Sequence, residues 1–434
     1  MNYVHYKDAQ GEFSVKIPKE NYIGCIQCNA PREIQWPAGY LRALKNPYGV
    51  TKLRDIAQGR RKVAILVSDY TRAVPAKILL PPIMDELHQA GISESQITII
   101  IAGGLHRPST QQEIAQIVGD DWIKRLRVVN HNALDSERLT FLGKTKRGTP
   151  VWINSLVSES DLCIALGQIE PHEYAGFTGG RKSILPGVSG EETIRFNHSP
   201  EMIEHPLAKP GILEGNPVHE DMVECALMAG IDFIVNVVLN RDLKIIGVFA
   251  GDMLEAHSKG VDFVNSFSRV EIPTQPDIII TTPGKPLDVD FYQSLKALIA
   301  VDAIASPETI VVFYSSCQDG LGSMGGEMLK VFLGATTPQE VETSVRSNFK
   351  VQMDHAFLLS KILQKGIKII AYSPNVPLNI IKEMMIPASS VQEGLDLALQ
   401  LSRRKTPGVL VYPEAQRTLP FFSKENIKSL RIKN

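Results

Sequence analysis

The apolar residues of this chain fall into short unbroken runs separated by amphipathic stretches, and that alternation sets the expected fold class. VAILV (63–67), ITIIIA (97–102), RLRVV (125–129) and LCIALG (162–167) are strand-length and lack polar alternation. Such strands are buried on both faces, as in a parallel sheet with helices packed on each side. Helical stretches lie between them: one runs towards Gly91, and another opens at Ser109-Thr110, with Gln112 and Glu113 in capping-box spacing. FIVNVVL and KIIGVFAG (233–251), joined by Asn240-Arg241-Asp242, predict an antiparallel hairpin added to that sheet. A composition break at SRVEIPTQP (268–276) closes the series. The pattern restarts beyond it with DIIITT (277–282), a helix through Ser294 to Ile304, TIVVFYSS (309–316), KIIAYS (368–373) and GVLVY (408–412). The expectation is an α/β protein of two α/β domains, with mostly parallel sheets flanked by helices. Residues 1–270 form the first domain and 271–412 a smaller second one; the tail 413–434 is placed with the first, and the active site in the interdomain cleft.

A length of 434 residues agrees with two domains, and 44% hydrophobic with 21% charged residues is a globular composition. The formal net charge of −1 provides no global field to attract nucleic acid or an anionic membrane. The polar opening MNYVHYKDAQGEF carries no apolar signal core, and no apolar run is long enough to span a bilayer, so the expected location is cytoplasmic. Five scattered cysteines form no disulfide framework. Cys25 and Cys28 make a single CxxC without the second pair that a zinc site needs, and it leads into Asn29-Ala30-Pro31 rather than into a helix.

In open α/β sheets, ligands bind beyond the carboxyl ends of the strands. Asp69 and Arg72 follow VAILV, His106 and Arg107 follow ITIIIA, and His172 follows LCIALG, so three strands deliver acid, base and cation to one rim. QIEPHEYAGFTGGRKSILPG (168–187) adds a glycine turn (Gly176, Gly179, Gly180), the cations Arg181 and Lys182, and Ser183; His198 follows in FNHSP. Glycines let backbone N–H groups approach an anion closely, and an imidazole offers a proton acceptor or a metal ligand. The order GFTGGRKS breaks the Walker pattern. His198 lacks an HxH or HxxxH partner, so any metal there needs donors from a cofactor. His131 reads as structural, as do His5, His88, His205, His219, His257 and His355. Gln293 and Lys296 share one helical face in DFYQSLKAL of the second domain. From the residues alone, a non-catalytic nucleotide- or phosphate-binding protein and a different enzyme on the same scaffold (an oxidoreductase or dehydratase) stay open, although no GxGxxG follows a first strand.

SDYTR (68–72), GGLHRPST (103–110), PHEYAGFTGGRKSILPG (171–187), NHSP (197–200), NVVLNRDLKIIGVFAGDM (236–253) and DFYQSLKA (290–297) together resemble the nickel-dependent lactate racemase family. The resemblance implies a nickel-pincer nucleotide, derived from nicotinic acid, that carries two sulfur donors and one carbon donor. By the same resemblance the cofactor is covalently attached at Lys182, and His198 is the protein's nickel ligand. His106 and His172 fall on the two acid–base histidines. Arg72, Gln293 and Lys296 fall on substrate-orienting positions, with Tyr174 beside them. Asp69, Thr71, Gly179, Gly180 and Arg181 fall near the cofactor. The implied reaction is racemisation or epimerisation of a 2-hydroxy acid by proton-coupled hydride transfer, with cofactor-maturation proteins as partners. Two positions depart from the family pattern: KVQMDHAFLLSKIL (350–363) has no tryptophan, and Tyr174 replaces a phenylalanine. Those departures imply a pocket of different shape, with lactate or a larger 2-hydroxy acid as substrate.

Overall fold

The computed structural model describes residues 2–7 and 12–422. Ala30–Phe267 form one compact unit, and the chain up to Asn29 and from Ser268 onward forms another.

The Ala30–Phe267 unit is built on a six-stranded sheet. Its order is Ile245–Gly251, Phe233–Leu239, Leu162–Gln168, Val63–Ser68, Ile97–Ala102, Arg127–Asn130. Every neighbouring pair is parallel except Phe233–Leu239 with Ile245–Gly251, the antiparallel hairpin expected from the sequence. Ile65 of the central strand pairs with Ile164 on one side and Ile99 on the other, and all three are fully buried. Leu66, whose side chain points to the opposite face, is equally buried, so both faces are covered. The helices Ala76–Gln89 and Gln111–Val118 supply part of that cover. The second opens as foreseen: Thr110 Oγ1 accepts from the Glu113 N–H at 3.2 Å, while Glu113 accepts the Thr110 N–H at 2.7 Å.

After Val63–Ser68 the chain adds two strands on one side of the sheet, then returns to add Leu162–Gln168 on the other. Connection direction therefore reverses beside the central strand, which is where such sheets open a binding crevice. The hairpin Leu139–Lys144 with Pro150–Asn154 lies outside this sheet and was not expected.

The second unit carries its own six-stranded, all-parallel sheet. Its order is Ile386–Pro387, Lys368–Tyr372, Ile310–Tyr314, Ile278–Thr282, Val409–Pro413, Tyr22–Cys25. The last strand corrects the expectation that residues 1–270 form the first domain, because Tyr22–Cys25 is an edge strand of the second sheet. The tail is corrected as well. Leu419–Phe422 pairs in parallel with Arg269–Ile272 of this same unit; residues 423–434 lie outside the described residues. Among the described residues no helix is long and apolar enough to cross a membrane.

Ile65 ties three strands into one core, so Ile65→Ala should destabilise the protein by about 2–5 kcal/mol. In urea unfolding the midpoint should fall with the slope unchanged, whereas an unchanged midpoint would show that the central strand does not carry the core.

Candidate active site

The ends of the three central strands place the expected rim residues together. Asp69, one residue past Val63–Ser68, is 3% exposed, and Asp69 Oδ2 lies 2.6 Å from Nδ1 of His106 in the turn after Ile97–Ala102. A carboxylate can only accept, so Nδ1 carries the proton and Nε2 keeps the lone pair. Asp69 Oδ1 accepts from Thr71 Oγ1 at 2.7 Å, and Thr71 Oγ1 in turn accepts from Arg72 Nη1 at 2.7 Å. Burial alone would push the Asp69 carboxyl up. His106, Arg72 and Thr71 outweigh it and hold the group below its ordinary value. Asp69 thus stays ionised at neutral pH and fixes the His106 ring. Arg107, also on this rim by sequence, is engaged elsewhere: its guanidinium makes two bonds to Glu113, at 2.8 and 2.6 Å. The Arg107 bonds, against the opposing effect of burial, bring Glu113 down to about 2.

His172 follows the third strand in a two-residue ladder, where Pro171–His172 pairs with Gly176–Phe177. A side chain at Gly176 would meet the Ile212 carbonyl at 2.2 Å, so this turn requires glycine. The turn brings three rings together: Tyr174 stands edge-on to His172 (4.8 Å, 81°) and to His198 (5.3 Å, 79°). All three side chains are buried. His198 ends the helix Glu191–Asn197, and its N–H bonds to the Ile194 carbonyl. A buried network holds that helix end: Asn197 Nδ2 donates to Asp221 (2.8 Å), which also accepts from Thr145 (2.6 Å) and Thr149 (2.8 Å).

The glycine turn is shaped by the protein itself. Gly179 and Gly180 have φ of +81° and +53°, and the Gly180 N–H donates to Asn236 Oδ1 at 2.8 Å. A Cβ on Gly179 would sit 2.4 Å from that oxygen, so the neighbouring strand is one reason for glycine here. Arg181 departs from its expected place with the cofactor. Its guanidinium turns into the protein and donates to the carbonyls of Ala175 (2.8 Å), Phe177 (2.7 Å) and Gly179 (3.1 Å), and to His257 Nε2 (2.9 Å). Burial lowers Arg181 to about 9, which leaves it charged at neutral pH. Burial, and then the Arg181 charge, hold His257 well below its usual value, so its ring is neutral; its Nε2 also lies 2.9 Å from the Thr178 carbonyl. Lys182, next along the Gly180–Ser183 turn, is half-buried.

Gln293 and Lys296 belong to the other unit, on the helix Phe291–Val301, where both are buried. Asp290 caps that helix by accepting the Gln293 N–H at 2.7 Å. Tyr292 donates to Asp354 (2.6 Å) and stacks on His355 at 4.1 Å, next to the buried Met353. Cys25 is exposed, and no group of three or more His, Cys, Asp or Glu able to hold a metal occurs among the described residues.

Sequence reasoning did not single out Asn236, Asp221, Asn197 or Glu173 as builders of the site. Asn236 carried a readable signal, being an amide inside an otherwise apolar central strand.

The fold is a doubly wound α/β domain with a histidine beyond each of two strand ends, and its similarity to known proteins gives the family. Residues 9–211 match the lactate racemase N-terminal domain and residues 272–416 the lactate racemase C-terminal domain. Lactate racemase of Thermoanaerobacterium thermosaccharolyticum is 37% identical over 362 residues, covering 82% of this chain and 84% of that protein. The Lactiplantibacillus plantarum lactate racemase is 38% identical over 315 residues, covering 72% and 74%. The structure of the T. thermosaccharolyticum lactate racemase apoprotein superposes with a TM-score of 0.89 at 33% identity, over 97% of this chain and 100% of that one. A Thermotoga maritima protein, at 16% identity and a TM-score of 0.66, shares the fold. The chain belongs to the lactate racemase family.

His131 fastens the loop that follows Lys182. Its Nε2–H donates to the Ser189 carbonyl (2.9 Å), and Nδ1 accepts from Asn154 (3.0 Å). Burial, opposed by the Ser189 bond, lowers it from 6.5 to about 4. The folded pKa is depressed, so this stability is complete above the unfolded value of 6.5; it is lost as pH falls towards 4, because only the unfolded chain takes the proton. Between pH 7 and 4.5, wild type should lose roughly 2–3 kcal/mol more than His131→Gln in urea titrations. Parallel losses in both proteins would assign the acid sensitivity elsewhere.

Proposed function

We propose that this chain is a 2-hydroxyacid racemase or epimerase, acting on lactate or a larger 2-hydroxy acid with a nickel-pincer nucleotide held through Lys182. The observation that carries the reading is the Asp69–His106 pair, 2.6 Å apart at one strand end, with His172 at the end of a neighbouring strand on the other side of Val63–Ser68. An enzyme that interconverts enantiomers needs two bases, because the two hydroxyls are presented differently; two fixed imidazoles answer that need.

The donor set suits the cofactor. Among the described residues the buried His198 belongs to no group of three or more His, Cys, Asp or Glu that could hold a metal, so a metal there needs a group that brings its own donors. Lys182 would tether that group and His198 would hold its nickel. When bound, the cofactor supplies the hydride acceptor and donor. The chain's own residues do the rest. Arg72 binds the substrate carboxylate, a task that Gln293, Lys296 and Tyr174 share in this reading. Asp69 keeps the Nδ1 of His106 protonated, so that Nε2 takes or returns the hydroxyl proton. His172 performs the same transfer for the other enantiomer. Asp221, through Asn197, holds the helix end that presents His198. Cofactor-maturation proteins would be the partners, in the cytoplasm.

The test is the denatured intact mass of protein co-expressed with a pincer-cofactor maturation system, followed by peptide mapping. The expected result is an adduct on Lys182 that is absent from Lys182→Ala, with racemisation of at least one member of a 2-hydroxy acid panel. His106→Asn and His172→Asn should keep the adduct and lose roughly 10²-fold or more in kcat. An unmodified Lys182 beside a loaded lactate racemase control would remove the tethered-cofactor reading.

A further inference from the structure

Two acid–base histidines in one site must each present a defined ring nitrogen to the substrate. Asp69 settles this for His106, whereas His172 has contested surroundings. Its Nδ1 lies 3.2 Å from the Ala175 N–H nitrogen, 3.4 Å from that of Tyr174, and 3.2 Å from Glu173 Oε2. The backbone donors require a lone pair on Nδ1, which puts the proton on Nε2. The carboxylate requires the proton on Nδ1, which leaves the lone pair on Nε2. One nitrogen cannot satisfy both.

The physical contest has a winner. The His172 and Glu173 side chains are 4% and 6% exposed, so water screens their interaction little. A hydrogen bond to an ionised acceptor is roughly twice as strong as a neutral one. Distance does not separate the two, since Glu173 Oε2 and the Ala175 nitrogen both lie 3.2 Å from Nδ1, so charge decides. A carboxylate facing a bare nitrogen lone pair would be repelled by it, so protonation of Nδ1 turns a repulsion into a bond. We propose that Glu173 is the positioning residue for His172: it holds Nδ1–H and turns the Nε2 lone pair into the acid–base atom, as Asp69 does for His106. When Nε2 takes the substrate's hydroxyl proton, the same carboxylate balances the imidazolium. Side chains of consecutive residues in a strand point to opposite faces, so the sequence hides this pair. The turn closing at Gly176 brings the carboxylate back onto the ring that precedes it.

The inference rests on the acid–base role proposed for His172, and its test reads the ring directly. Full-length protein is labelled with 15N-histidine, His172 is assigned by difference from His172→Gln, and long-range 1H–15N spectra are recorded near pH 8. Wild type should show Nδ1–H with a bare Nε2. Glu173→Met, similar in size but apolar, should invert the pattern to Nε2–H, because only the backbone donors remain at Nδ1. Glu173→Gln, which keeps a neutral acceptor, should lie between them and shows that the turn still folds. In cofactor-loaded protein, Glu173→Met should lower kcat on the order of 10²-fold with KM little changed. An Nε2–H pattern in wild type, or the same tautomer in wild type and Glu173→Met, would overturn the proposal. Loss of racemase activity in wild type would instead count against the function above and leave the tautomer result standing.

Discussion

The site depends on a buried guanidinium. Arg181 is 1% exposed and makes its bonds to main-chain carbonyls and a neutral imidazole. Removing such a cation from water costs several kcal/mol unless its donors are satisfied. The backbone from Ala175 to Gly179 therefore has to curl so that three carbonyls point at one fork. That curl is what demands left-handed backbone at Gly176, Gly179 and Gly180. It also fixes where the next side chain, Lys182, leaves the turn, and it closes the ladder that carries His172. One interaction inside the protein thus sets the position of two residues of the candidate site.

This explains why the richest motif in the chain misleads when read residue by residue. Glycines beside Arg and Lys suggest a cradle for an anion, with every cation pointed at it. Here Arg181 shapes the turn from within and Asn236 holds its floor. A sequence lists charges without stating which are turned inward, and only the packing against His257 and the Phe233–Leu239 strand decides.

Other features were legible because they are local. Three unbroken apolar runs became three inner strands, Val63–Ser68, Ile97–Ala102 and Leu162–Gln168, since a strand buried on both faces leaves no room for polar alternation. The capping box at Thr110 and Glu113 formed as spaced. What could not be read was pairing between distant segments. Tyr22–Cys25 carries little hydrophobic signal and becomes a strand only because Val409–Pro413 offers it an edge. The Leu139–Lys144 hairpin is half-exposed and mixed in pattern, so its period is faint. The rim residues could be placed at strand ends, but their adjacency required the strand order. Asp69 shows this: its bonds to His106 and Thr71 join two strand ends that the sequence lists apart.

Carboxylates at both histidines carry a consequence for a reaction that must run equally well in either direction. Enantiomers have the same free energy in solution, so the overall equilibrium constant of a racemase is one. In the proposed reaction each turnover would move a proton onto one histidine and take a proton from the other. A site in which one ring held its proton much more tightly would load easily from one enantiomer and stall from the other. Asp69 faces His106 Nδ1, and its own ionisation is protected by His106, Arg72 and Thr71 against the pull of burial. A carboxylate at His172 Nδ1, as at His106 Nδ1, gives the two rings matching surroundings. The requirement for balance thus gives a physical reason for an acidic residue at position 173, beyond the orientation of a single ring.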